Sequence, residues 1–218
     1  MFPSAQPQPR CYLFWDSWLQ IKEINTCSEL ISGSHDTTVR IWNTTTGKLQ
    51  TELKGHMDSV MSIAFSQDGS RIISGSRDKT VIICNAATGQ EEVNIIGHTG
   101  SVLSVAFSRA GAQVVSASHD CTVRVWNAMT GEAEAELKGH TKSATSAAFS
   151  QDGEIVVSAS NDKTVRIWKV RADESQLLPI HKTTLSLPDG SAVRRTGILG
   201  FHIIYPGQIP ASTTHPAL

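Results

Sequence analysis

The chain has 218 residues, of which 39% are hydrophobic and 18% are charged, so it is long enough to bury a sizeable core. Its 19 basic and 20 acidic residues give a net charge of −1, and this balance argues against nucleic acid or an anionic membrane surface as a partner. The longest apolar stretch, around residues 198–205, falls far short of the roughly 20 residues that a membrane-spanning helix needs.

The chain begins with a segment that shows no regular pattern. Residues 1–13 are rich in Pro and Gln and lack the apolar centre of a signal peptide, so we predict that they are irregular. The cysteines, Cys11, Cys27, Cys84 and Cys121, lack the CxxC or other spacing that is typical of a metal site. We therefore expect reduced thiols, no bound metal and a cytoplasmic location, with the nucleus as the alternative.

A 42-residue repeat occupies most of the chain. The pair Gly-His occurs at residues 55–56, 97–98 and 139–140, and an aspartate and a tryptophan recur in the same register. A fixed period of this length indicates stacked structural repeats. The tryptophans are Trp42, Trp126 and Trp168, and Cys84 stands in the remaining position. The units are residues 14–54, 55–96, 97–138 and 139–169, the last with a partial outer strand.

Each unit is predicted to form four short antiparallel strands, as the third unit illustrates. Its apolar segments at residues 101–107, 113–116 and 122–126 and its alternating segment at residues 132–137 are separated by polar or Gly-containing turns. The first three segments carry apolar residues on both faces, which is typical of sheets that are sandwiched between other sheets. The sequence therefore predicts an all-β fold, a β-propeller-type stack of four-stranded antiparallel blades.

The two ends of the array depart from the pattern. In the first unit, Phe14 stands where histidine would fall, so this unit is predicted to be a degenerate blade. Residues 170–218 contain several prolines and lose the register, and we expect an irregular tail in which residues 197–205 could form one strand. About four blades are visible, so we expect an incomplete propeller, either open or truncated.

The Gly-His pair, together with the pattern Ser-x-Ser-x-Asp-x-Thr-Val-x-(Ile/Val)-Trp, resembles the tryptophan–aspartate (WD) repeat propellers over roughly residues 18–168. One departure is that the tryptophans are followed by Asn43, Asn127 or Lys169 and never by aspartate. The close likeness between the units is also similar to fungal arrays that follow NACHT-type nucleotide-binding switch domains. The resemblance implies a scaffold that binds a protein or peptide and has no chemistry of its own.

The resemblance also assigns a structural role to a recurring set of polar residues. It implies a buried hydrogen-bond chain in which Asp accepts from His, His meets the Ser hydroxyl, and Ser meets the Trp indole. Serine, histidine and aspartate together also suggest a hydrolase, but a site repeated in every blade lacks the single exposed nucleophile that catalysis requires. We therefore expect no catalytic residue and no cofactor. The structural set is His56, Ser74, Asp78, His98, Ser116, Asp120, Trp126, His140, Ser158, Asp162 and Trp168.

Propellers that resemble this chain usually bind partners across the face that carries the Gly-His loops and the turns between the second and third strands. At these turns, the residue in front of the aspartate varies between otherwise similar units, as expected where loops carry recognition. We expect a protein or peptide partner to contact His35, Arg77, His119, Asn161, Asp58 and Lys142.

Three further hypotheses stay open at this point. The chain could be a fragment of the C-terminal sensor array of a larger NACHT-type switch protein. It could instead be an enzyme with a site in the non-repeat tail, although the titratable residues there show no recognisable spacing. Unpaired apolar faces at the two ends of an open array would also favour self-association.

Overall fold

The computed structural model describes residues 19–23, 29–170, 185–186, 192–196 and 200–204, and side-chain packing is defined over residues 29–170. Within these ranges the regular elements are all β-strands, and no helix has the length and apolarity that crossing a membrane requires. The strands are β1 (Leu19–Glu23), β2 (Glu29–Ser34), β3 (Val39–Asn43), β4 (Leu49–Leu53), β5 (Val60–Phe65), β6 (Arg71–Ser76), β7 (Thr80–Asn85), β8 (Glu91–Ile96), β9 (Val102–Phe107), β10 (Gln113–Ser118), β11 (Thr122–Asn127), β12 (Ala133–Lys138), β13 (Ala144–Phe149), β14 (Ile155–Ser160), β15 (Thr164–Lys169), β16 (Leu185–Ser186), β17 (Ala192–Thr196) and β18 (Gly200–Ile204).

Four sheets of four strands follow one another along the chain. Within each sheet, consecutive strands pair side by side, so that β1–β4, β5–β8, β9–β12 and β13–β16 form the first to the fourth blade. All of these pairings are antiparallel, which confirms the predicted stack of four-stranded blades. In the third blade, every strand end lies within two residues of the segment that the sequence predicts.

Each inner blade buries both of its faces. In the third blade, Val114 and Trp126 pack against the second blade, whereas Val115, Val123 and Val125 pack against the fourth. Val115, Val123 and Val125 are fully buried. Because side chains alternate between the two faces of a strand, burial on both sides explains why these strands are apolar at nearly every position.

The segment after residue 170 is more regular than predicted. Leu185 and Ser186 pair with Val165 and Thr164 and complete the fourth blade, and β17 and β18 form a separate two-stranded sheet. β18 lies within residues 197–205, where one strand was expected, and β17 is an additional strand, while β16 supplies the partial outer strand expected of the fourth unit. The physical reason is that β15 offers unpaired backbone groups along its edge, which an extended segment with no repeat signature can satisfy.

The blades fit together at three junctions, numbered along the chain, by matching small residues to large ones. At the first junction, a Cβ on Gly33 would lie 2.7 Å from Val60 and 2.9 Å from Ile63. At the second junction, a Cβ on Gly75 would lie 2.6 Å from Val102 and 2.8 Å from Val105. Real Cβ atoms do not approach this closely, so glycine is required wherever the inner strand of the next blade carries β-branched residues.

The third junction uses the opposite combination. Here Ala117 takes the place of the glycine, and it packs in one buried cluster with Ala144 and Ala147 of β13. The alanine side chains of β13 leave room for the methyl group that Val102 and Val105 would exclude. The side chains across each junction are therefore matched in size.

This matching predicts strong coupling across the second junction. Gly75→Ala alone should destabilise the protein by about 1–3 kcal/mol because its methyl group overlaps Val102 and Val105. Adding Val102→Ala and Val105→Ala rebuilds the combination found at the third junction. The triple variant should therefore be more stable, by at least about 0.5–1 kcal/mol, than the sum of the separate changes implies.

Denaturant unfolding measures these free energies. The matched control combines Gly75→Ala with Val123→Ala, which lies on the far face of the third blade, and the two effects should simply add. If the effects of Gly75→Ala, Val102→Ala and Val105→Ala on the free energy of unfolding also simply added in the triple variant, this would contradict size matching across the second junction.

Candidate partner-binding face and its buried support

The third blade contains an unbroken hydrogen-bond chain from its core to its loops. The Trp126 indole donates to the Ser116 hydroxyl oxygen over 2.7 Å, and the same oxygen lies 2.7 Å from Nε2 of His98. On the other side of the imidazole ring, Nδ1 lies 2.8 Å from Oδ2 of Asp120. The expected order Asp, His, Ser, Trp is therefore the order of contacts in this blade.

The chain recurs in full in the fourth blade and in part in the first and second blades. In the fourth blade, Nδ1 of His140 lies 3.0 Å from Asp162, while Nε2 of His140 and the Trp168 indole each lie 2.8 Å from the Ser158 oxygen. In the second blade, His56 lies 2.9 Å from Asp78 and 2.8 Å from Ser74, and Cys84 offers no indole donor. In the first blade, Trp42 donates to Ser32 over 2.8 Å, and Phe14 lies outside the described residues.

The donors and acceptors fix the direction of the chain in the third blade. An indole N–H can only donate, so the Ser116 oxygen accepts from Trp126, and its single proton goes to Nε2 of His98. Nε2 therefore carries no proton, and Nδ1–H donates to Asp120. The geometry selects a neutral imidazole protonated at Nδ1.

Burial and charge agree with this protonation state. Burial lowers the pKa of His98 below its ordinary value, and the hydrogen bond to Asp120 offsets only part of that effect. Burial alone would raise the pKa of Asp120, but hydrogen bonds from Thr122 and His98 outweigh it and hold the pKa well below its usual range. Neutral histidine therefore faces an ionised carboxylate, and the same directions hold for His140 and Asp162.

The serines of these chains are poorly placed for catalysis. Ser116 and Ser158 are completely buried, and each hydroxyl already has a tryptophan and a histidine as partners. A serine nucleophile must reach a substrate carbonyl from an exposed position. The arrangement suits a structural role because it satisfies polar groups that would otherwise be buried without partners.

The aspartates connect the buried chains to the loops. Oδ2 of Asp120 also accepts from the backbone N–H of Thr99 over 3.0 Å, and Oδ1 accepts from the Thr122 N–H and hydroxyl. Between them, Cys121 adopts a left-handed backbone with φ of +70°, as Thr37, Lys79 and Lys163 do in the other turns. Asp78, Asp120 and Asp162 thus each fix a Gly-His loop and a turn in one conformation.

The residues predicted to contact a partner lie on these loops and turns. Arg77, His119, Asn161, Asp58 and Lys142 are exposed. His35 is half-buried, and its Nδ1 lies 2.9 Å from the hydroxyl of Ser59 in the next blade. The exposed apolar side chain of Met57, with 90% of its surface accessible, stands beside Asp58 on the same loop.

Backbone hydrogen bonds hold these loops and turns together. The N–H groups of Arg77, His119 and Asn161 donate to the carbonyls of Ser59, Ser101 and Ser143 in the Gly-His loops of their own blades. The Ser101 hydroxyl also donates to the Arg77 carbonyl across the second junction. Loops from successive blades therefore form a continuous surface, which we call the loop face.

An arginine stacked on each buried tryptophan was missed in the sequence. The guanidinium of Arg124 lies 5.7 Å from the centre of the Trp126 ring, and that of Arg166 lies 5.9 Å from Trp168. The spacing of two residues within one strand, which places both side chains on the same face, was the available signal. In the second blade both positions change together, to Ile82 and Cys84.

Cys84 is an inert thiol in an apolar site. Its side chain is buried, and this burial, together with the nearby Glu91 and Glu92, raises its pKa to about 11. The thiol therefore stays protonated at neutral pH and is a poor nucleophile.

Because the second blade carries Ile82 and Cys84 where the third and fourth blades carry arginine and tryptophan, we expect substitutions at these two positions to have non-additive effects on stability. Ile82 approaches Gly55 much as the rim of Trp126 approaches Gly97, so it fills space that a tryptophan would need. Cys84→Trp alone should therefore destabilise by about 1–3 kcal/mol through overpacking. With Ile82→Arg added, the arginine can stack on the ring, the indole can donate to Ser74, and stability should return to at least the wild-type value.

Thermal and denaturant unfolding distinguish these variants. The matched control is Cys84→Phe with Ile82→Arg, which supplies an aromatic ring but no N–H donor and should be less stable than the tryptophan version. A stabilising effect of Cys84→Trp alone would show that the space was never filled.

Comparison with known proteins agrees with the geometry. The family model described as "WD domain, G-beta repeat" matches residues 20–43, 47–85, 89–127 and 131–169. The second to fourth matches each begin with the outer strand of one blade and end with the third strand of the next, so these sequence repeats span two blades and cross a junction. This overlap links successive blades through the covalent chain as well as through packing.

Two individual proteins match short segments. Small ribosomal subunit protein RACK1y of Oryza sativa subsp. japonica is 39% identical over 56 residues, which are 26% of this chain and 17% of that protein. Coronin-7 of Mus musculus is 50% identical over 40 residues, which are 18% of this chain and 4% of that protein. The chain thus matches only a small part of either relative. The four family matches cover more than half of the chain, and the chain belongs to the WD repeat family.

Proposed function

We propose that this chain is an interaction scaffold that binds a protein or peptide across the loop face and performs no chemistry itself. The contact residues are His35, Arg77, His119, Asn161, Asp58 and Lys142. One observation carries the proposal: the turn position carries His, Arg, His and Asn in the four blades, whereas the aspartate that follows it has the same hydrogen bonds in the second to fourth blades. A fixed loop backbone that carries variable exposed side chains is typical of recognition surfaces.

The support of the loops favours binding without a large entropic cost. Because each aspartate holds its loop and turn in one conformation, little backbone freedom is left to lose when a partner binds. The exposed cations Arg77 and Lys142 and the exposed anion Asp58 would then select the partner by charge. We expect the bound segment to carry acidic side chains for the two cations.

Selection from a random peptide library against the full chain tests this proposal. Affinities of the selected peptides are then measured on the double variant Arg77→Ala and Lys142→Ala. The expected result is a loss of at least about tenfold, which corresponds to about 1.4 kcal/mol of binding free energy. Enrichment of Asp and Glu among the selected peptides is expected as well.

The control removes two cations from the opposite end of the blades. Lys48 and Arg109 are exposed on the loops that join the third to the fourth strand and the first to the second strand, respectively. Lys48→Ala with Arg109→Ala should leave the affinities within about twofold. Equal losses in both double variants would show that overall charge, and not the loop face, determines binding.

A further inference from the structure

The fourth blade has an apolar outer face that is only partly covered. Its inner face packs against the third blade through Val156 and Trp168. The alternate side chains on the outer face include Val157, Val165 and Ile167, which are half-buried. The side chains in the same register of the third blade, Val115, Val123 and Val125, are fully buried against the fourth blade.

The outer face of the fourth blade corresponds to the faces of the first, second and third blades that are covered at the three junctions. At each junction, the face of one blade that carries its small second-strand residue packs against the inner strand of the following blade. The outer face of the fourth blade continues this series, because Ala159 occupies the position of Gly33, Gly75 and Ala117. The three junctions therefore show which kind of strand would pack against the outer face of the fourth blade.

The size of Ala159 selects among the blades that could pack there. Glycine at this position is found opposite Val and Ile, and alanine is found opposite Ala144 and Ala147. A methyl group on Ala159 leaves no room for β-branched residues on the facing strand if the geometry of the junctions is kept. The facing strand must then carry small residues at both positions.

We propose that the outer face of the fourth blade is a docking surface for a further WD-type blade whose inner strand carries alanine at the two positions that Ala144 and Ala147 occupy in β13. A second copy of this chain is a poorer match. Its first blade would face the surface, and there Ile21 holds the register position of Ala147, since Ile21 pairs with Ser32 as Ala147 pairs with Ser158. Stacking of two copies in this way would oppose Ala159 to a β-branched residue.

An extended chain tests the size selection. A second copy of residues 129–170, inserted directly after Val170, supplies an outer strand for β15 and a fifth blade with both alanines. The comparison insert is identical except for Ala144→Val and Ala147→Val in the inserted copy, which matches the inner strand of the third blade. The alanine insert should melt at least about 5 °C above the valine insert.

A compensating change makes the test specific. Ala159→Gly in the chain with the valine insert recreates the second junction and should recover most of the lost melting temperature. Equal melting temperatures for the alanine and valine inserts, or no recovery with Ala159→Gly, would overturn the proposal. Both inserts carry the same outer strand, so any stabilisation that comes from pairing with β15 cancels in the comparison.

The openness of the face is tested in the chain without an insert. Ile167→Glu places a charge on the outer face, and Val125→Glu places one at the matching position inside the third junction. We expect Ile167→Glu to lower the melting temperature by no more than about 2 °C and Val125→Glu to lower it far more. Equal losses would overturn the proposal, because the face would already be covered.

If the two losses of melting temperature are equal, light scattering identifies what covers the outer face of the fourth blade. A mass of 23.6 kDa would assign the covering to another segment of the same chain, and twice that mass would assign it to a second copy.

Discussion

The buried serine hydroxyl at the centre of each complete hydrogen-bond chain is the constraint on which the loop face depends. In the third blade, Ser116 accepts from a group that can only donate and passes its single proton to His98. This fixes the imidazole tautomer, and Nδ1–H then donates to Asp120, which holds the loop and the turn. Buried side chains thus support the conformation of an exposed surface, and in the second blade Ser74, His56 and Asp78 do so without a tryptophan.

Packing across the junctions extends this control from one blade to the next. The second and third blades bury both faces because a neighbour of the right shape stands on either side, as Gly75 opposite Val102 and Ala117 opposite Ala147 illustrate. Stability in such an array is approximately a sum of blade and junction contributions. Because the loop face is built from successive blades, a weak junction would disturb binding as well as folding.

The sequence predicted the repeating framework well because every blade restates it. The 42-residue period and the strand positions of the third blade were visible from regular spacing, and the Asp-His-Ser-Trp order was implied by the resemblance to the WD repeat propellers. What escaped prediction depends on packing contacts: the glycine–valine matching between blades at Gly33 and Gly75, and the space that Ile82 fills near Cys84 within the second blade. A partial outer strand was expected for the fourth blade, but Leu185 and Ser186 could not be named for it because an edge strand accepts an extended segment without a signature.

The protonation state of His98 and His140 tests the central claim most directly. Long-range proton–nitrogen correlation spectra of the full chain at neutral pH distinguish the two neutral tautomers and the charged imidazolium. The hydrogen-bond chain predicts that both residues are neutral and protonated at Nδ1, with indole protons of Trp126 and Trp168 that exchange slowly with solvent. Protonation at Nε2, or a charged ring in either residue, would contradict the account, because the serine hydroxyl could then no longer donate to histidine.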